Sequence, residues 1–146
     1  MFHILVVDDD KNTRMYFEAV LKNDGYTVTV ARNGEEALDV MDKEHVDLVV
    51  LDVMMPRMDG YEFTKTLRAC DNNLPILMVS AKQLPVDKNK GFAVGTDDYM
   101  AKPVNQDELL YRIKALLLHA RSRISVLIQI QGWKGISRLP VYDVHS

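Results

Sequence analysis

Cysteine is almost absent from the 146-residue sequence: Cys70 stands alone, so no internal disulfide can form and no Cys/His spacing suggests a zinc site. Long apolar runs are missing too, none approaching the roughly 18 residues of a membrane-spanning helix. No basic leader precedes an apolar stretch at the N-terminus. These absences are read as a cytoplasmic protein with no membrane role. Positive charge is scarce over residues 1–120, where 14 Lys+Arg face 20 Asp+Glu. An acidic body of this kind does not hold a phosphate backbone by general electrostatics, which excludes non-specific nucleic-acid binding. Residues 121–146 reverse the sign, with Arg121, Arg123, Lys134 and Arg138 against Asp143 alone.

What is present is a chain of one-domain length, 47% hydrophobic, without internal repeats or low-complexity segments. Short apolar runs alternate with amphipathic stretches. Strands are predicted at His3–Val7, Thr27–Ala31, Asp47–Leu51, Ile76–Ser80 and Asp98–Ala101. Runs such as Ile4-Leu5-Val6-Val7 and Leu48-Val49-Val50-Leu51 are continuously apolar, the signature of strands buried on both faces. Helices are predicted over 12–23, 35–43, 60–69, 85–94 and 106–120. The first is expected to turn Met15, Ala19 and Leu21 inward, and the last Leu109, Leu110, Ile113, Leu116 and Leu117. The pattern implies an α/β fold, a doubly wound five-stranded parallel sheet. Beyond residue 120, Ile124–Gln131 partly alternates like a strand before Gly132-Trp133-Lys134-Gly135 breaks it. Residues 121–146 are too few for a domain with its own core, and read as a linker, a docking arm or a C-terminal tail.

In open α/β sheets, ligands bind beyond the carboxyl ends of the strands. The first strand delivers Asp8-Asp9-Asp10 there, the third Asp52, the fourth Ser80, and the fifth Lys102-Pro103. Clustered carboxylates raise one another's pKa unless a cation neutralises them, and hard oxygen ligands suit Mg²⁺. A carboxylate can attack phosphorus to give an aspartyl phosphate, while an ammonium and a hydroxyl stabilise the phosphoryl oxygens. Asp10 has a simpler use, as the cap of the next helix. Met54-Met55-Pro56-Arg57-Met58 is read as a loop with adaptable packing, and His3, His45, His119 and His145 show no ligand spacing.

The segments Ile4–Asp10, Ala31–Leu38, Asp47–Gly60, Pro75–Lys82 and Gly95–Pro103 occur in order, and together the chain resembles the receiver domain of two-component response regulators over residues 3–119. The resemblance implies a flavodoxin-like (βα)5 fold with strand order 2-1-3-4-5 and a receiver domain at 1–120. It implies that Asp52 is phosphorylated by a sensor histidine kinase. Asp8, Asp9 and Asp52 would hold Mg²⁺ (or Mn²⁺) with the backbone carbonyl of Met54. Lys102 would contact the phosphoryl group, Ser80 would swing toward it, and Tyr99 would be the aromatic switch. The Lys102-Pro103 bond is expected to be cis.

Within that family the chain is most similar to the OmpR/PhoB class, whose phosphorylated receivers form a homodimer through the fourth helix, fifth strand and fifth helix. Lys90, Asp97, Glu108 and Arg112 match that face, whereas Leu118-His119 departs from the arginines common in the class. Transcription regulation is the implied output, with DNA bound only through a domain these residues do not supply. Two rivals remain open. A haloacid-dehalogenase-type phosphatase also forms an aspartyl phosphate, but its acid/base Asp would stand where Met54 is. A stand-alone receiver acting through protein contacts alone is the other.

Overall fold

The computed structural model describes residues 1–70 and 72–131. Strands β1 (His3–Val7), β2 (Thr27–Ala31), β3 (Leu48–Leu51), β4 (Ile76–Ser80) and β5 (Asp98–Ala101) alternate with five helices. These are α1 (Lys11–Asn23), α2 (Gly34–Lys43), α3 (Gly60–Ala69), α4 (Pro85–Val94) and α5 (Gln106–Gln131). The strands form one parallel sheet in the order β2-β1-β3-β4-β5. Among the described residues no helix is long and apolar enough to cross a membrane.

The continuous apolar runs explain the layering. Successive side chains of a strand point to opposite faces. Leu5, Val7, Val49, Leu51 and Met78 therefore pack under α2 and α3, with Ala37, Phe63 and Leu67. Ile4, Val6, Leu48, Val50, Leu77 and Val79 pack on the other face with Phe17 and Leu21 of α1 and Leu109, Ile113 and Leu117 of α5. Fully burying each such side chain contributes roughly 1.5–3 kcal/mol.

Helices α1, α2 and α3 each start on a side-chain cap from the residue just before them. Asp10 Oδ2 accepts from Thr13 N at 2.9 Å, Asn33 Oδ1 from Glu36 N at 2.8 Å, and Asp59 Oδ1 from Glu62 N at 2.8 Å. Each such cap is worth about 1 kcal/mol. Helix α4 starts instead at Pro85 and stops at Gly95, whose φ of 111° suits a residue without Cβ.

Two expectations are corrected. Met15, 58% exposed, and Ala19 face solvent, while Phe17 and Leu21 are enclosed. Met15 lies about 200° around the helix from Phe17, so one apolar stripe cannot include both, and the larger aromatic takes the core. Residues 124–131 are helical rather than strand-like, because α5 runs unbroken to Gln131. The sequence has neither Gly nor Pro between 104 and 131, and extending an existing helix costs little compared with nucleating a strand that lacks a partner. Residues 132–146, including Trp133 and the remainder of the expected tail, lie outside the described residues.

Candidate functional site

Sheet register brings the acidic residues together. Val7 of β1 is paired with Leu51 of β3, so the next residues, Asp8 and Asp52, leave adjacent strands at one level. The ladder continues one step beyond the strands: Asp8 N–H donates to Ala31 O at 3.1 Å and Asp52 N–H to Val7 O at 2.9 Å. Ser80 is paired with Ala101, and the following Lys102 N–H donates to Ser80 O at 2.8 Å. The Lys102-Pro103 peptide bond is cis, as expected.

Asp8 and Asp52 are almost fully enclosed, at 2% and 6% exposed, whereas Asp9 is open to solvent. Each of the three offers a carboxylate oxygen within 4.8 Å of the others. Lys102 Nζ lies 2.9 Å from Asp8 Oδ2 and 3.7 Å from Asp52 Oδ1. Arg14 of α1 donates to the backbone oxygen of Asp8 at 2.8 Å, and Asp10 N–H to Asp8 Oδ1 at 2.9 Å.

The balance of charges is visible in the protonation behaviour. Burial, then the neighbouring Asp8 charge, push the Asp52 carboxyl up to about 6; Lys102 and the Met54 backbone amide oppose this, and Asp9 adds to it. Burial disfavours the Lys102 ammonium, but its hydrogen bond to Asp8 and the charges of Asp52 and Asp8 outweigh that and hold its pKa above the ordinary value. Asp10 is set apart: hydrogen bonds from the Thr13 side chain and backbone keep its carboxyl low. It caps α1 and is not one of the three clustered carboxylates. One cation serving two enclosed carboxylates leaves the pocket short of positive charge. Three convergent hard oxygens with a deficit of that sign fit Mg²⁺ or Mn²⁺.

The remaining sequence-predicted residues fall in two places. Ser80 is fully buried at the end of β4, and its Oγ accepts from Lys82 N at 3.1 Å. Tyr99 is buried with its hydroxyl donating to Lys82 O at 2.9 Å. The charges assigned to an outer face are already engaged within the chain. Arg112 Nη1 lies 2.8 Å from Asp98 Oδ2, its Nε 3.0 Å from Glu108, and Lys90 Nζ stands 4.6 Å over the Tyr61 ring. Asp97 does not join them: its Oδ2 accepts from Arg68 at 2.9 Å and from Ile76 N at 2.8 Å, locking the α4–β5 turn.

Several residues near the site were not singled out from sequence. Gly60 is the clearest, since a Cβ there would stand 2.5 Å from Asp52 O and 2.8 Å from Val53 Cα. Only glycine lets α3 begin this close to the end of β3. Gly91, mid-helix in α4, carried a legible signal, because an interior helical glycine costs about 1 kcal/mol and calls for a packing reason. Arg14 gave none, being one of several charges on an exposed helix.

Comparison with known proteins agrees with this geometry. The family model for the response regulator receiver domain matches residues 4–114. Response regulator MprA of Mycolicibacterium vanbaalenii is 46% identical over 114 residues, covering 78% of this chain and 49% of that protein. The probable transcriptional regulator ycf27 of Cyanidium caldarium is 40% identical over 121 residues, with 83% and 48% covered. The receiver domain of Francisella response regulator 1452 superposes with a TM-score of 0.79 at 35% identity, covering 82% of this chain and 99% of that one. The chain spans about half the length of the curated relatives it matches. The five-stranded order, the paired acids at the ends of β1 and β3, and a family match over most of the sequence carry one conclusion: the chain belongs to the response regulator receiver domain family.

Proposed function

We propose that Asp52 accepts a phosphoryl group from the phosphohistidine of a sensor histidine kinase and that the chain works as a phosphorylation-dependent switch. The observation that carries this reading is the buried Asp52 carboxylate at the end of β3, beside Asp8 and within 3.7 Å of the Lys102 ammonium. A carboxylate oxygen of Asp52 attacks phosphorus, the P–N bond breaks, and its electron pair leaves with the kinase imidazole. Attack of water on phosphorus later returns the free carboxylate and inorganic phosphate. Mg²⁺ (or Mn²⁺), bound by Asp8, Asp9, Asp52 and the Met54 carbonyl, would neutralise the carboxylates and the equatorial phosphoryl oxygens. Lys102 exchanges its bond to Asp8 for one to the phosphoryl group, and Ser80 turns its hydroxyl to a second oxygen. Tyr99 carries the change to the face made by α4, β5 and α5.

That face is the proposed homodimer surface. Phe92 on α4 and Tyr111 and Leu118 on α5 are at least half exposed. Lys90, Glu108 and Arg112 supply both charge signs, with Asp98 rather than Asp97 beside Arg112. The output is transcription regulation, the role carried in the name of the ycf27 relative, with DNA contacted through a part of the protein other than this domain. A dehalogenase-type phosphatase is disfavoured by Met54, which has no proton to give at the position two residues beyond Asp52.

Mass spectrometry after incubation with acetyl phosphate and Mg²⁺ tests the reading. The intact chain gains one phosphoryl group and Asp52→Asn gains none. Failure of the intact chain to take up either phosphate or beryllofluoride overturns it.

A further inference from the structure

Helix α4 is the least anchored helix of the receiver. Gly91 is its only fully buried residue, while Val86 and Phe92 are 67% and 50% exposed. Two phenols reach its start from the core. The Tyr99 hydroxyl, from β5, donates to Lys82 O in the β4–α4 loop at 2.9 Å. The Tyr61 hydroxyl, from the first turn of α3, donates to Asp87 O in the first turn of α4 at 3.0 Å. Both rings are buried, at 5% and 6% exposed. Gly91 lets the Tyr99 ring sit close against α4: a Cβ there would meet Tyr99 Cδ2 at 3.1 Å and Cε2 at 3.3 Å, tight enough to shift the ring.

Each phenol leads back to the acidic pocket by a separate path. Tyr99 bonds the carbonyl of Lys82, whose amide donates to Ser80 Oγ at 3.1 Å. Tyr61 follows Gly60, whose N–H donates to Val53 O at 2.8 Å and where a Cβ would stand 2.5 Å from the Asp52 carbonyl oxygen. The first path starts at the hydroxyl expected to move toward phosphate. The second starts at the backbone of the acceptor residue and needs no side-chain rotation. Burial, then the neighbouring Tyr99 hydroxyl, hold the Tyr61 phenol well above its ordinary pKa, so its proton stays in place to donate to Asp87 O. Lys90, part of the proposed dimer face, rests its ammonium on the Tyr61 ring, so that charge is tied to the same tyrosine.

We propose that Tyr61 is a positioning residue for the switch, a second hydroxyl clasp that couples the backbone at Asp52 to the first turn of α4 in parallel with Tyr99. The proposal deepens the phosphoswitch reading and rests on it. Helix α4, with little buried surface of its own, is the two-state element that both clasps bias, which is the condition for real coupling rather than mere adjacency.

The test is amide hydrogen exchange on the full chain, with and without beryllofluoride and Mg²⁺, comparing the wild type, Tyr61→Phe, Tyr99→Phe and the double variant. Tyr61→Phe removes one hydroxyl and keeps the packed ring. The expected result is roughly fivefold faster exchange in the first turn of α4, the weight of one neutral hydrogen bond, with the amides of β1 and β3 unchanged. The beryllofluoride-induced change at α4 shrinks, beryllofluoride affinity is retained, and the double variant departs from the sum of the singles. Unchanged exchange at α4 overturns the proposal. So does an equal acceleration across the whole sheet, which marks a purely structural tyrosine. Failure of the wild-type chain to bind beryllofluoride instead brings down the phosphoswitch reading itself, and is read from that protein alone.

Discussion

Lys102 Nζ lies 2.9 Å from Asp8 Oδ2, joining the end of β5 to the end of β1 across 94 positions of sequence. Removing one partner of an enclosed ion pair leaves the other charge uncompensated, typically at a cost of about 3–5 kcal/mol for fully buried pairs. Lys102 is a quarter exposed, which reduces this to about 2 kcal/mol. Lys102→Met should lower the unfolding free energy obtained from urea titration at neutral pH by that amount. Added Mg²⁺ restores most of the loss, because the cation replaces the missing charge. A deficit indifferent to Mg²⁺ would assign Lys102 a packing role.

The raised pKa of Asp52 sets a pH dependence. Between the ordinary carboxylate value of 3.8 and about 6, the folded chain holds a proton on Asp52 that the unfolded chain has released. Stability from this group therefore falls as pH rises through that window and stays low above it. Asp52→Asn should stabilise the metal-free protein by about 1–2 kcal/mol near pH 8, with the gain vanishing near pH 4. Thermal unfolding at both pH values checks the sign, and an equal gain at each would detach it from ionisation.

At Gly60 the obstacle is backbone. A methyl group would stand 2.5 Å from Asp52 O, so Gly60→Ala must push α3 away from β3. A stability loss of about 2–3 kcal/mol is expected, together with slower phosphorylation by acetyl phosphate, since Asp52 shifts with its carbonyl. Chemical denaturation and the rate of phosphoryl uptake check the two parts separately.

Arg57 is the one non-glycine residue with positive φ among the described residues, at 69°. Its ion pair with Glu35 spans 3.5 Å between two largely exposed side chains and contributes little. Arg57→Gly should raise stability by about 0.5–1 kcal/mol by relieving the left-handed backbone, while Arg57→Ala should not. Equal effects of the two substitutions in urea titrations would trace the change to the ion pair instead.

Sequence carried the sheet well because β1, β3 and β4 are buried on both faces and read as unbroken apolar runs. It carried Asp8 and Asp52 because each follows such a run directly, and Lys102 because it follows the short fifth strand. The inner face of α1 was misjudged, since Met15 and Phe17 are equally apolar as letters and only packing decides between them. The helical course of 124–131 was hidden by residues that alternate over a short window. Tyr61 was silent because its role depends on a contact between α3 and α4, which no local pattern encodes. The partners of Asp97 within the chain, Arg68 and Ile76 N, were hidden in the same way.

The pairing of Val7 with Leu51 and of Ser80 with Ala101 also bears on when the protein can be addressed. Because side chains alternate along a strand, a register slip of one residue would turn every core position outward. The acidic residues therefore cannot assemble on a partly misaligned sheet. They come from distant parts of the chain, and non-local contacts of this kind close late in folding. A nascent or partly unfolded chain thus presents separate aspartates and no pocket, so that completion of the sheet and assembly of the acidic cluster become the same event.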